Sequence, residues 1–294
     1  MSGRLLVKIG VATVLLIGLG VVLWNFFSKE PEQIIEEPEI VVEEEPEVVR
    51  ATIGTSVESR AIEMYTFGGG GTHILFVGGI HGGYEWNSTF LAYRAIDYLT
   101  ANPDTIPDGM RVTVIPTLNP DGLYAVVGTE GRFTVDDAPD SVDASGTGRF
   151  NAHDVDLNRN FNCKWQGEST WRSMPVSAGT APFSEPEAVT LRDFVIAESP
   201  DAVVFWHSQA NAVYASECEE GVLPQTLDIM NAYATAADYN AVAAFDAYPV
   251  TGDAEGWLAS VGIPAITVEL ASHETIEWDK NLAGMKAIFQ YYNQ

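Results

Sequence analysis

Short apolar runs alternating with segments of helical period constrain this chain more than any other feature. Residues 73–80 (HILFVGGI), 111–116 (RVTVIP), 202–206 (AVVFW) and 264–270 (PAITVEL) each have the length and character of a buried strand. Between them, residues 87–99 place Phe90, Leu91, Tyr93, Ile96 and Leu99 on one apolar helix surface. Residues 185–197, 227–238 and 279–292 read as further helices, and residues 61–67 as an alternating strand ended by the glycines at 68–71. Residues 130–155, rich in Gly, Ser and Asp, read as a long loop. The alternation predicts an α/β sandwich: a mixed, mostly parallel central sheet flanked by helices. In such sheets, sites form outside the carboxyl ends of the strands.

Composition narrows the function. The chain has 294 residues, with 41 acidic side chains against 15 Lys and Arg, a formal charge of -26. Such a surface cannot neutralise phosphates, so a nucleic-acid binder is excluded. Hydrophobic residues make up 46%, including seven Trp, eleven Tyr and thirteen Phe, enough for a large core and incompatible with disorder throughout. Two Cys exclude a disulfide-dense scaffold and a Cys-rich zinc finger.

The first fifty residues follow other rules. Residues 9–27 (IGVATVLLIGLGVVLWNFF) carry no charge and, at ~1.5 Å per helical residue, span roughly 28 Å, about a bilayer core. The run ends in Trp24, Phe26 and Phe27, an interfacial aromatic anchor rather than the small residues of a signal cleavage site. Arg4 and Lys8 precede it; Lys29 and a field of Glu follow. Residues 1–8 are therefore expected in the cytoplasm, 9–27 as a transmembrane anchor, and the rest outside the cytoplasm. Secretion after signal cleavage is the alternative. Residues 28–51, dominated by Glu and Pro, read as a disordered acidic linker, and residues 52–294 as the folded domain.

There are five His: His73, His81, His153, His207 and His273. His81 and His207 each follow a strand-like run, with Glu85 four residues beyond His81, and Glu269 ends another strand. Catalytic zinc takes two imidazoles and a carboxylate as ligands, with a second carboxylate as base, and these four residues have the required types. A lone histidine at a strand end is more often a structural hydrogen-bonder than a ligand.

Several segments, in order, resemble the zinc metallocarboxypeptidases, the carboxypeptidase A-like peptidases. They are GGIHGGYE (78–85), NPDG (119–122), DLNRNF (156–161), FSEPE (183–187), WHS (206–208) and TGDAEGW (251–257) followed by ITVEL. Together they span roughly residues 52–294. One departure stands out. The family usually spaces its first two ligands as H-x-x-E, whereas His81 and Glu85 are one residue further apart. Positions i and i+4 can still share one helix face, and two Gly permit an unusual turn.

The resemblance implies one Zn2+ per chain, held by His81, Glu85 and His207, with Glu269 as general base toward a zinc-bound water. It implies that Arg149 stabilises the oxyanion, with Arg132 as runner-up, and that Asn158 and Arg159 bind the substrate's terminal carboxylate. Tyr248 falls at the position of the family's mobile Tyr. Glu255 falls where relatives set end-residue preference: facing the pocket it would favour Lys, Arg or diaminopimelate, and facing outward it is a surface charge. His73, His153 and His273 need no function; a surface position for His273 is weighed against a place behind the ligands. Cys163 and Cys218 follow two site segments, so a disulfide between site loops is expected.

The expected protein is thus a membrane-anchored, extracytoplasmic, monomeric carboxypeptidase acting on peptides with a free carboxylate. The alternatives are an amidase of diaminopimelate-containing cell-wall peptides, an N-acyl amino acid deacylase, and an inactive peptide-binding module.

Overall fold

The computed structural model describes residues 48–142 and 144–294. The expected anchor and nearly all of the linker lie outside these residues. Among the described residues no helix is long and apolar enough to cross a membrane.

The chain opens with β1 (Val49–Thr55), β2 (Ala61–Gly68) and β3 (Thr72–Val77), then helix α1 (Trp86–Ala101), β4 (Met110–Ile115) and helix α2 (Pro120–Val127). The hairpin β5 (Glu168–Trp171) and β6 (Met174–Ser177) follows, then α3 (Pro186–Glu198) and β7 (Ala202–Ser208). Strands β8 (Ala212–Ala215), β9 (Glu217–Cys218) and β10 (Gly221–Val222) lead to α4 (Pro224–Ala237) and β11 (Asn240–Val242). Helix α5 (Ala254–Ser260), β12 (Ala265–Leu270) and α6 (Trp278–Tyr292) complete the fold.

Eight strands form one sheet in the order β1-β2-β4-β3-β7-β12-β8-β11. The central strands β4, β3, β7 and β12 run parallel, and antiparallel joins lie at β1–β2, β2–β4 and β12–β8. The expected mixed sheet between helices is therefore present. Strand β1 includes residues 49–51, which composition had assigned to the linker.

Strand alternation sorts side chains between the two sheet faces. Ile74, Phe76, Val204, Trp206 and Val268 pack with Leu91 of α1, Tyr233 of α4 and Ile288 of α6. Leu75, Val77, Val203, Phe205 and Ala265 pack with Leu191 of α3 and Trp257 and Leu258 of α5. His207, Thr267 and Glu269 continue the second series, so they emerge on the face covered by α5.

The run at 73–80 does not remain a strand throughout: β3 ends at Val77. Gly79 has φ of +62°, and a Cβ there would lie 2.3 Å from Thr89 Oγ1. The chain leaves the sheet at this point and delivers His81 above it.

Candidate metal centre and the cavity around it

His81 precedes a short 3-10 helix, Gly82–Glu85, so a 3-10 turn, not an α-helix face, spans the longer spacing. Gly82 has φ of +45°, and a Cβ there would stand 2.6 Å from the Gly148 carbonyl oxygen. Glu85 is fixed through its own carbonyl, which accepts from Ser88 Oγ at 2.7 Å, while that oxygen accepts from Gly79 N. Across the sheet, His207 occupies the end of β7.

These elements bring His81, Glu85 and His207 together, all buried, with one ligand atom of each within 4.8 Å of the others. His207 Nδ1 is 3.1 Å from Glu85 Oε2. His81 Nδ1 is buried with no hydrogen-bond partner, 3.7 Å from Asp156 Oδ1. Two imidazoles, one carboxylate and an orphaned ring nitrogen fit a zinc ion of the two-His, one-carboxylate type. Among the protein groups alone, burial and Arg149 hold His81 well below its ordinary pKa. Burial opposes charge on His207 too, but Glu85 and Glu255 outweigh it and hold that imidazole well above.

Glu269 stands in register beside His207 on the parallel strand β12. Its outer edge meets the cavity, but its Oε2 is buried and unpartnered. Desolvation, aided by the nearby Glu85 carboxylate, pushes its pKa up to about 7.

Arg149 is buried and donates from Nε and Nη2 to Asp156 Oδ2, at 3.0 and 2.9 Å. Its Nη1 lies 3.6 Å from Glu85 Oε1, and its guanidinium rests over the Trp171 ring. Asn119 of the NPDG segment supports this: its Oδ1 caps α2 through Gly122 N and its Nδ2 donates to the Arg149 carbonyl. Arg132 is elsewhere, exposed and paired with Asp97. Arg159 donates from Nε and Nη2 to the Thr170 carbonyl and from Nη1 to the Asn158 carbonyl. Two of its five N–H groups are left over. Asn158 Oδ1 accepts from Ala254 N, which leaves its amide donors free.

Arg149, Asn158, Arg159, Tyr248, Glu255 and Glu269 line one cavity of about 800 Å³ with the three ligands. Tyr248 is half-buried at its mouth, edge-on to Phe245. Glu255 does not face outward: it is buried, and its Oε1 lies 3.1 Å from His207 Nε2 and accepts from Thr267 Oγ1. Cys163 and Cys218 form a disulfide.

His273 is not a surface residue. It is buried, its Nδ1 is 2.7 Å from Ser208 Oγ, and Ser208 N donates to Glu85 Oε2, placing it behind the ligands. His73 bonds Thr113 and Arg111, and His153 bonds Glu185. Sequence reasoning assigned no role to Asp156 or Trp171, which hold Arg149. Asp156 opens the DLNRNF segment, a signal that was readable; nothing in the sequence marked Trp171.

A family model described as zinc carboxypeptidase matches residues 39–291. Carboxypeptidase B of Astacus astacus is 27% identical over 244 residues, covering 80% of this chain and 75% of the relative. Gamma-D-glutamyl-L-diamino acid endopeptidase 1 of Lysinibacillus sphaericus is 25% identical over 241 residues, covering 75% of this chain and 60% of the relative. The fold is similar to that of bovine thrombin-activatable fibrinolysis inhibitor, in its complex with tick carboxypeptidase inhibitor. The TM-score is 0.66 at 19% identity, over 83% of this chain and 90% of that one.

Proposed function

The chain belongs to the zinc carboxypeptidase family, and from that premise we propose that it removes the C-terminal residue of a peptide outside the cytoplasm, tethered by residues 9–27. The observation that carries this reading is a single cavity holding the zinc ligands together with Glu269, Arg149 and Arg159.

Bound at His81, Glu85 and His207, zinc supplies Lewis acidity, making water nucleophilic near neutral pH and polarising a carbonyl. Glu269, the second carboxylate in the cavity, takes a proton and returns it to the leaving amine. Arg149 donates toward the oxygen that gains charge, held in place by Asp156 and Trp171. The free donors of Arg159 and Asn158 bind the terminal carboxylate of the substrate, which selects a chain end over an internal bond. Tyr248 covers the bound residue from the mouth.

The membrane assignment is supported by the uncharged run at 9–27 and the charges flanking it. The disulfide fits an oxidising compartment. A second reading, cleavage at a diamino acid in cell-wall peptides, is favoured by the name of the Lysinibacillus relative. The inactive binding module loses support, because the longer His81 to Glu85 spacing still brings the three ligands together.

The test is a panel of N-blocked peptides ending in Phe, Leu, Lys, Arg or diaminopimelate, each with a free and an amidated terminus. Release of the last residue from the free acids alone, abolished by chelation, is expected. Equal cleavage of the amidated series would sink the carboxypeptidase reading, and cleavage of diaminopimelate peptides only would favour the second.

A further inference from the structure

Both ring nitrogens of His207 face carboxylates. Nδ1 is 3.1 Å from Glu85 Oε2, and Nε2 is 3.1 Å from Glu255 Oε1. A neutral imidazole has one N–H and one lone pair. The nitrogen that turns toward the other ligands must present the lone pair, so the proton belongs on Nε2, where Glu255 accepts it.

Glu255 is itself held. It is 3% exposed, lies in the first turn of α5, and accepts from Thr267 Oγ1 at 3.1 Å through the same Oε1. The start of α5 is fixed from two sides: Asp253 accepts from Gly256 N, and Asn158 Oδ1 accepts from Ala254 N. Thr267 precedes Glu269 by two residues on the same face of β12, so one carboxylate oxygen ties together α5, the ligand on β7 and the strand carrying Glu269.

We propose that Glu255 is a positioning residue for the zinc ligand His207, fixing its tautomer and ring orientation and thereby zinc retention, rather than an acid that reads the substrate's side chain. A buried carboxylate behind a ligating histidine raises the ligand's basicity, and losing such a partner costs about 10–100-fold in metal affinity. Because Oε1 accepts from both His207 and Thr267, the carboxylate is held toward the ligand.

This inference rests on zinc at the His81, Glu85, His207 triad, and its test separates the two. Zinc dissociation constants of the full-length chain are measured by competition with a chromogenic chelator, for the wild type, Glu255→Gln, Glu255→Ala and Thr267→Val. About 10-fold weaker binding is expected for Glu255→Gln, approaching 100-fold for Glu255→Ala, with a few-fold loss for Thr267→Val. The visible spectrum of the cobalt-loaded protein should shift in Glu255→Gln, a change that a distant structural defect would not produce. Should the Glu255 variants fail to fold by circular dichroism, Thr267→Val decides, and unaltered zinc affinity there overturns the proposal. Wild-type affinity in a folded Glu255→Gln, with KM raised only for peptides ending in Lys or Arg, overturns it as well. A wild type that binds no zinc overturns the triad and this inference together.

Discussion

Glu269 and His207 face each other in register across the parallel strands β12 and β7, on the sheet face covered by α5. A proposed base and a zinc ligand are thus neighbours by strand pairing, and their separation is set by the sheet rather than by a loop. Replacing Glu269 by Gln keeps the shape and removes the proton acceptor. We expect kcat to fall about 100- to 10,000-fold with KM and zinc content little changed. Steady-state kinetics with metal analysis would check this; retained turnover would move the base elsewhere.

The same residue makes the chelated protein sensitive to pH. Its folded pKa of about 7 lies above the ordinary 4.5. A raised pKa in an acid means that its stabilising contribution is complete below the unfolded value and is lost as pH rises through the folded one. The contribution of Glu269 to the stability of the chain in excess chelator should therefore be lost between about pH 4.5 and 7. Glu269→Gln should flatten that slope and be more stable above pH 7, by about 1–2 kcal/mol given that its outer edge meets the cavity. Urea unfolding of both proteins at intervals from pH 5 to 8 measures the difference. Parallel curves would show that Glu269 ionises normally.

What was legible follows from where the constraint lies. The buried strands at 111–116, 202–206 and 264–270 declare themselves by short, largely apolar runs, and His207 and Glu269 are the next-to-last residues of the second and third strands. The small strands β8 to β11 and the β5–β6 hairpin are only two to four residues long. Tertiary packing forms them, and no periodicity marks such short pieces. The ligand set was readable as residue types, whereas the direction of the Glu255 side chain depends on how α5 docks on Thr267, a contact that no local pattern encodes.

Gly82 tests whether the extra residue between the first two ligands needs its backbone freedom. Its φ is +45°, and a Cβ would meet the Gly148 oxygen at 2.6 Å and the Gly122 carbonyl carbon at 2.8 Å. Gly82→Ala should lower stability by about 2 kcal/mol or more and weaken zinc binding at least 10-fold, as His81 and Glu85 are driven apart. Gly109 is the control, since its φ is +80° but nothing lies within 4 Å of an added Cβ. Gly109→Ala should lose about 1 kcal/mol and keep its zinc. Equal zinc affinity in the two variants would show that the turn tolerates a side chain.

The disulfide links two walls of the cavity. Cys163 lies four residues after Arg159, and its carbonyl accepts from Gly252 N at 2.7 Å, while Phe161 N donates to the Gly252 carbonyl. Cys218 lies in β9, 55 residues further along the chain. Closing a loop of that length removes about 4 kcal/mol worth of unfolded-chain entropy in the simplest account. The double variant Cys163→Ser, Cys218→Ser should therefore unfold at a lower temperature. It should also raise KM more than it lowers kcat, because the strap meets Arg159 and Gly252 directly and touches none of the three zinc ligands. Calorimetry and kinetics on the same preparation read both effects. A fall in kcat with KM unchanged would mean that the bridge acts on the chemistry rather than on the binding of the chain end.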